Sequence, residues 1–272
     1  MKRVGLIGCG TIGTALAQAL ERDYHTQARI VAIADRQRTA ALALQRQLGS
    51  HPAIVSLPDL IRRSQLVLEA AAVSIAARVA RLALTTHRDV LIMSSGGLLA
   101  SSAWQQAARR SHGHLYVPSG GLGGIDGVKA LAVGAIRRIR LTTRKPPRAL
   151  MTAPLVQRRR LRLTRLTRPT TIFDGSPQQA IREFPQNTNV AATMTLACLA
   201  SRHRAVNARV RIVADPTITR NIHELDVEGD CGRLHCQIES RPSSANPKTS
   251  EVAVRSALAT LDQLFNPVHI GT

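Results

Sequence analysis

One histidine in the second half of the sequence stands where it could move protons. His223 lies in TRNIHELDVEG, a stretch in which apolar and polar residues alternate as they do in a half-buried β-strand. An imidazole titrates near neutral pH, so it can act as a general acid or base, bind a metal ion, or serve only a structural role. The stretch itself leaves these three roles open.

Three glycines near the N-terminus have the spacing of a phosphate-binding loop. Gly8, Gly10 and Gly13 form GxGxxG between an apolar strand and a helical pattern, in KRVGLIGCGTIGTALAQAL. The first glycine permits a tight turn, the second lets the backbone approach a pyrophosphate, and the third lets helix pack on strand. Phosphate would lie against the free N–H groups at the helix start, around Thr11 and Ile12. We therefore predict a dinucleotide-binding loop.

An acidic residue ends the second predicted strand, ARIVAIAD. Asp35 can accept hydrogen bonds from the adenosine ribose hydroxyls, which favours NAD. Arg36 and Arg38 follow directly and could instead hold the 2′-phosphate of NADP. Asp35 could also cap a helix predicted over 36–48, and the two roles are compatible. We predict that NAD is preferred and that NADP is usable.

Short apolar strands alternate with helical segments over the first half. The strands are predicted at AIVSL, 66–70, 89–94 and 114–119, with helices over 57–64 (Ser56 and Asp59 as a capping pair), 74–86 and 101–111. This alternation predicts an α/β fold with a Rossmann-type, doubly wound parallel sheet. Ligands bind beyond the carboxyl ends of such strands. Ala70–Ala72, Ser94–Gly97 and Ser119–Gly121 are expected there, with Ala71 contacting the cofactor.

The sequence changes character near residue 118. Strands are predicted in AIRRIRLTTRKPP, NARVRIVADP, TRNIHELDVEG and GRLHCQIES, and helices in DGSPQQAIREF and NTNVAATMTLACLA. Ser176 is the predicted N-cap of the first helix, with Pro177 at its first position. Such strands with two helices on one face predict an α+β domain. The segment NPKTSEVAVRSALATL predicts one more amphipathic helix.

Six stretches together resemble the L-aspartate dehydrogenase family. In family order along nearly the whole chain they are IGCGTIG, PSGGLGGIDGVKA, TRKPP, FDGSPQQAIREFPQNTNVAAT, ADPTITRNIHELDVEG and NPKTS. The resemblance implies NAD(P)-dependent oxidation of L-aspartate to iminoaspartate, or to oxaloacetate and ammonia after hydrolysis. Whether the product feeds NAD biosynthesis stays open at this point. It also implies a homodimer and a last helix that returns to the cofactor domain. We predict a cofactor domain over 1–117 plus 246–272 and a catalytic and dimer-forming domain over 118–245.

The resemblance also implies site residues. The catalytic histidine falls on His223, and cofactor contacts fall on Gly121, where many members have alanine, and on Asn189. The loop after Glu69 lacks the proline found in the family. Candidates to bind the substrate carboxylates are Lys145 and Lys248. Arg144 and Lys129 are further candidates for the same role. A structural alternative is that Asn187 caps a helix over 188–200, with Asn189 in its first turn.

The net charge of +20 is almost all arginine, since lysine occurs only at positions 2, 129, 145 and 248. The densest run, QRRRLRLTRLTR (157–168), fits one face of a strand better than a disordered tail. Aromatic residues make up 2% of the chain and offer few stacking platforms for nucleic acid. A solvated arginine-rich surface is therefore favoured over specific nucleic-acid binding.

The four cysteines do not form a disulfide framework. Cys231, His235 and Cys236 suggest metal ligands, but CGRLHC lacks the CxxC spacing, so structural thiols are favoured and no metal is predicted. Although LIGC (6–9) is similar to a lipoprotein cleavage box, its apolar segment is shorter than the ~7–15 residues of an export core. No apolar run reaches the ~18 residues of a membrane span, and we predict a cytoplasmic protein.

Two other functions stay open. One is a different two-domain NAD(P)-dependent reductase, acting on a dihydrodipicolinate-like or homoserine-like substrate. The other is a non-catalytic, dinucleotide-sensing protein that binds nucleic acid through its arginines, whose affinity would fall steeply with salt.

Overall fold

The computed structural model describes residues 1–185, 189–199, 207–246 and 249–271. They divide into two units. Unit 1 comprises Met1–Pro118 and Val254–His269, and unit 2 comprises Ser119–Ala253 with residues 270–271. No helix within the described ranges is long and apolar enough to cross a bilayer.

The chain passes from unit 2 back to unit 1 at Val254, later than the predicted transition at residue 246. Pro242 forms a β-bridge with Ser250, and the Glu251 N–H donates to the Arg241 carbonyl at 3.0 Å. These backbone bonds hold residues 249–253 on unit 2. Residues 270–271 also differ from the prediction, because Gly271 lies beside Asp126 of unit 2.

Six strands form the sheet of unit 1, in the order β3-β2-β1-β4-β5-β6. They are β1 (Lys2–Ile7), β2 (Ala28–Ala34), β3 (Ala53–Ile54), β4 (Leu66–Glu69), β5 (Asp89–Ile92) and β6 (Leu115–Tyr116). Every neighbouring pair is parallel. The predicted doubly wound sheet is confirmed, and its order reverses between β1 and β4, which is where such sheets bind ligands.

Five helices connect these strands. They are α1 (Thr11–Asp23), α2 (Arg38–Gln47), α3 (Leu57–Arg63), α4 (Val73–Thr85) and α5 (Ala103–Arg110), with a 3₁₀ turn over Ser95–Ala100. The predicted cap of α3 is confirmed, since the Ser56 side chain accepts from the Asp59 N–H. The predicted cap of α2 by Asp35 is wrong: Gln37 occupies the N-cap position, and Asp35 Oδ1 accepts the Gln37 N–H from outside the helix.

Five strands form a mixed sheet in unit 2, in the order β11-β10-β7-β9-β8. They are β7 (Ile136–Lys145), β8 (Thr170–Gly175), β9 (Asn207–Ala214), β10 (Asn221–Gly229) and β11 (Arg233–Ser240). Only β7 and β9 are parallel neighbours. The four predicted strands are present, and β8 is an additional edge strand.

Four helices contribute to the core on one face of this sheet, where two were predicted. They are α6 (Ile125–Val133), α7 (Pro154–Arg158), α8 (Pro177–Glu183) and α9 (Asn189–Leu199). Buried residues of the helices, such as Val128 and Met194, pack with Leu141 and Leu225 of the central strands. The Ser176 cap of α8 is confirmed as a full capping box, with Pro177 at the first position. The predicted cap at Asn187 lies outside the described residues.

The arginine run over 157–168 is not a strand, and that prediction is wrong. The run continues from α7 and passes through a 3₁₀ turn over Leu163–Arg165. Arg160 has a φ of 52°, a left-handed conformation that ends α7. Leu155, Val156 and Leu163 are buried while the arginines stay exposed, so the apolar residues anchor a largely irregular segment to the core of unit 2.

A tenth helix, α10 (Glu251–Phe265), returns to unit 1 after the whole of unit 2. Its Ala257 and Leu261 are fully buried in the core around the parallel sheet. The Tyr24 hydroxyl donates to Asp262 at 2.8 Å, and the Tyr24 ring packs against Phe265. The core of unit 1 is therefore built from two distant parts of the sequence.

Candidate functional site

The glycine loop after β1 has the shape of a phosphate cradle. Gly8 has a φ of 93°, and a Cβ there would lie 2.5 Å from the Ala70 carbonyl oxygen. A Cβ on Gly13 would overlap the Gly8 carbonyl, whereas nothing lies within 4 Å of a Cβ on Gly10. No side chain caps the N-terminus of α1. The first and third glycines therefore permit close packing, and the second leaves open space above free N–H groups that suit a pyrophosphate.

A hydrogen bond joins Asp35 to this loop. Its Oδ2 accepts the N–H of Cys9 at 2.7 Å, and its Oδ1 accepts the N–H of Gln37 at 2.7 Å. A carboxylate offers about four acceptor positions, so capacity for ribose hydroxyls remains. Arg36 and Arg38 are exposed next to it. The residues that were expected to distinguish NAD from NADP therefore lie together at the carboxyl end of β2.

Ala71 lies in the loop that leads from β4 to α4, and a buried carboxylate holds this loop. Glu69 Oε1 accepts the N–H groups of Ala71 at 2.9 Å and Ala72 at 3.1 Å. It also accepts the Ser94 hydroxyl at 2.9 Å, while Oε2 accepts the Ser94 N–H at 3.0 Å. The loops after β4 and β5 are thus joined by one side chain.

His223 lies on the helix-covered face of the unit 2 sheet. It pairs across β10 and β7 with Thr143, whose Oγ1 is 3.0 Å from His223 Nδ1. Both residues are buried. Burial, together with the positive charge of Lys145, lowers the pKa of His223 to about 3, so the imidazole is neutral at physiological pH. The side chain that orients the His223 ring is therefore Thr143, whose hydroxyl carries no charge.

Lys145 lies two positions beyond Thr143 on the same face of β7 and is only 8% exposed. Burial lowers the pKa of its ammonium group to about 8. A cation in this position is stabilised by an anion placed beside it. Of the predicted substrate-binding residues in the described chain, Lys145 is the one that the structure groups with His223.

Arg144 points to the opposite face and is already paired. It donates to the fully buried Asp215 at 2.6 Å and lies 3.5 Å from Glu224. Burial acts to raise the pKa of Asp215, but hydrogen bonds from Thr217 and Arg144 hold it below its usual value. Arg144 therefore already has two carboxylate partners within unit 2, on the face of the sheet away from His223. Glu224 is on the face away from His223, as strand alternation predicts.

Of the two predicted cofactor contacts in unit 2, Gly121 lies against His223. Gly121 is buried, and a Cβ there would lie 3.3 Å from Cδ2 and 3.4 Å from Nε2 of His223. The same Cβ would lie 3.5 Å from Val190, the second residue of α9. Asn189 is exposed at the start of that helix. Gly121 thus places backbone directly over the imidazole edge.

The remaining candidates within the described residues are not seen in contact with His223 or Lys145. Lys129 is half-buried on α6. Lys248 lies outside the described residues. Cys231 is exposed, and His235 Nδ1 is 2.7 Å from Asp226 Oδ1 on the face away from His223. Cys236 instead packs beside Gly123. Among the described residues no group of histidines, cysteines and acids has the arrangement of a metal site.

Two residues of these sites were not predicted as functional. Thr143 is an ordinary strand residue until the register pairs it with His223, and only a correct β7–β10 alignment would have revealed it. The sequence does contain one indication for Glu69, which ends the otherwise apolar strand LVLE. An acid in such a position is rarely buried unless hydrogen-bond donors surround it, so it predicts a polar cluster there.

The chain matches two family models. Residues 126–264 match the C-terminal domain of aspartate dehydrogenase, and residues 8–118 match the NAD-binding domain of homoserine dehydrogenase. The second match describes the cofactor domain and therefore bears on cofactor and not on substrate.

Relatives extend over the full chain. It is 40% identical over 275 residues to the L-aspartate dehydrogenase of Methanocella arvoryzae and 34% identical over 276 residues to that of Methanocaldococcus jannaschii, with 100% of each chain covered. A crystal structure of aspartate dehydrogenase from Thermotoga maritima is similar in fold, with a TM-score of 0.73 at 23% identity and 100% coverage of both chains.

Proposed function

Because this chain belongs to the aspartate dehydrogenase family, we propose that it catalyses the NAD(P)-dependent oxidation of L-aspartate. The full-length relation to enzymes of that name carries the proposal. Oxidation removes a hydride from Cα and a proton from the amine, giving iminoaspartate, which water converts to oxaloacetate and ammonia. The homoserine-type reductase, the strongest alternative, is disfavoured because unit 2, where His223 and Lys145 lie, matches the aspartate model.

The cofactor, when bound, accepts the hydride from the substrate. Gly8, Gly10 and Gly13 shape the loop that holds its pyrophosphate, with Thr11 and Ile12 presenting N–H groups. When the cofactor is bound, the Asp35 carboxylate would accept hydrogen bonds from the adenosine ribose hydroxyls. Ala71, Gly121 and Asn189 are the further proposed contacts.

We assign Lys145 to a carboxylate of the substrate. The ammonium group is buried, and its pKa is lowered because no water solvates it well. A substrate carboxylate placed beside the ammonium group would raise that pKa again. The same anion offsets the positive charge that lowers the pKa of His223, so substrate binding makes the imidazole a stronger base.

His223 is the proposed proton carrier. We place the ring proton on Nδ1, donating to Thr143 Oγ1, which leaves the lone pair of Nε2 free. Nε2 then takes a proton from the substrate amine or from the water that attacks the imine. Thr143 is a positioning residue in this scheme, because it fixes the tautomer and the ring orientation.

The direct test is a substrate screen of the wild-type enzyme. Reduced nicotinamide, followed by its absorbance, should form with L-aspartate and not with D-aspartate, L-glutamate or L-homoserine. The reverse reaction should consume NADH only when oxaloacetate and ammonia are both present. Turnover of homoserine with none of aspartate would contradict the proposal.

We further propose a cytoplasmic homodimer whose iminoaspartate feeds NAD biosynthesis. The family resemblance supports the dimer, and the exposed face of the unit 2 sheet offers alternating charges such as Arg138 and Glu228. Four free thiols suit a reducing compartment. Light scattering tests the dimer. Coupling the reaction to an enzyme that consumes iminoaspartate tests whether the imine is the released product. The second enzyme should form its product only if it captures iminoaspartate before water hydrolyses it.

A further inference from the structure

Glu69 is a buried carboxylate at the carboxyl end of the parallel sheet. It ends β4, is fully buried, and accepts hydrogen bonds from three backbone N–H groups and one hydroxyl. Within the described ranges no lysine or arginine forms an ion pair with it. Burial raises the pKa of Glu69, whereas its four hydrogen bonds, all accepted by the carboxyl oxygens, favour the charged form. Keeping a carboxylate charged in a protein interior costs free energy even with such hydrogen bonds, so its presence calls for a functional reason.

The carboxylate lies where three loops of unit 1 meet. Its hydrogen bonds join the loop after β4 to Ser94 after β5. The loop after β4 in turn fits against the glycine loop, because a Cβ at Gly8 would lie 2.8 Å from Ala71 Cα. A displacement of residues 70–72 would therefore change the glycine loop as well.

The topology decides which half of a dinucleotide this region receives. Asp35 directly follows β2 and marks the adenosine side, and the glycine loop after β1 marks the pyrophosphate. The sheet order β2-β1-β4-β5 then leaves the nicotinamide half to the carboxyl ends of β4 and β5. Glu69 and Ser94 occupy those two ends.

We propose that Glu69 is a positioning and specificity-determining residue, which shapes the nicotinamide side of the site and favours the positively charged, oxidised cofactor over the neutral, reduced one. This inference rests on the proposed dinucleotide binding. The charge acts through a water-poor interior, where electrostatic attraction is stronger than in bulk water. Its hydrogen bonds fix the loop independently of that charge.

Three variants separate the charge from the hydrogen bonds. Glu69→Gln removes the charge at nearly constant size, Glu69→Asp keeps the charge on a shorter side chain, and Ser94→Ala removes one donor. The matched control is Glu21→Gln, because Glu21 also anchors a loop, through the N–H groups of Gly49 and Ser50. Calorimetric titration gives the dissociation constants of NAD⁺ and NADH for each protein without turnover.

Glu69→Gln should weaken NAD⁺ relative to NADH by about tenfold. Glu69→Asp and Ser94→Ala should weaken both forms to a similar extent, and Glu21→Gln should leave both constants unchanged. An unchanged NAD⁺ to NADH ratio in Glu69→Gln would overturn the charge role. If that variant does not fold, unchanged constants in Ser94→Ala and Glu69→Asp would overturn the positioning role. Wild-type protein that binds neither form would instead refute the proposed function.

Discussion

The two units bury their polar groups in different ways. Around the glycine loop, Asp35 is held by the backbone N–H groups of Cys9 and Gln37. Around His223 the partners are side chains, namely the hydroxyl of Thr143 and the charge of Lys145. A site made from backbone needs glycines at fixed spacing and is visible in sequence. A site made from side chains on paired strands needs only the right register, which leaves little trace in the sequence.

The largest effect is expected at the proton carrier. His223→Asn should lower turnover of L-aspartate by roughly 10²–10⁴-fold, the range that general acid–base catalysis supplies. NAD affinity should stay near that of the wild type, because the glycine loop belongs to unit 1. Steady-state kinetics and calorimetric titration measure the two quantities.

His235→Asn is the matched control, because His235 lies on the neighbouring strand with its side chain on the opposite face. It should retain wild-type turnover. A stable, NAD-binding His223→Asn enzyme with most of its activity would show that the histidine is structural.

The buried imidazole should also make stability depend on pH. The pKa of His223 is lowered from 6.5 to about 3, so below pH 6.5 the unfolded chain binds a proton that the folded chain does not. Stability from this group is present above pH 6.5 and is lost as pH falls toward 3. Relative to His223→Gln, the wild type should lose about 1.4 kcal/mol per pH unit in that window. Urea unfolding at several pH values measures this slope, and parallel curves for the two proteins would contradict it.

Removing the buried cation should affect substrate binding more than chemistry. Lys145→Met should raise KM for aspartate roughly 10- to 100-fold, the loss of a charge-assisted hydrogen bond of about 1.5–3 kcal/mol. Because the ammonium group loses its proton above pH 8, KM of the wild type should rise there too. Lys129→Met removes a cation of the same unit and should leave KM unchanged. Equal KM values in both variants would remove Lys145 from the substrate site.

The smallest expected effect concerns cofactor choice. Asp35→Asn removes the charge that repels a 2′-phosphate but keeps an acceptor for the Cys9 N–H. The ratio of kcat/KM for NADP to that for NAD should rise about tenfold, since each 1.4 kcal/mol is a factor of ten. A wild-type enzyme that already prefers NADP strongly would mean that Arg36 and Arg38 dominate over Asp35.

Features that depend on local sequence patterns could be predicted, whereas features that depend on the pairing of distant strands could not. The glycine spacing, the strand–helix alternation and the caps at Ser56 and Ser176 are local patterns, and the structure contains all of them. The prediction for the arginine run was wrong because arginine alternates in part with leucine and threonine, as on one face of a strand, whereas the segment forms the end of α7 and a short 3₁₀ turn. Thr143 could not be found at all, because pairing across strands distant in sequence is set by tertiary packing.

The return of α10 to unit 1 has a consequence for synthesis of the protein. During translation the sheet of unit 1 leaves the ribosome first, but its core lacks Ala257 and Leu261 until α10 follows unit 2. Unit 2 has nearly all of its residues in one continuous stretch and can complete its core earlier. We therefore expect unit 1 to emerge first and to complete its core last, with the apolar surface that Ala257 and Leu261 cover left exposed while unit 2 is being made.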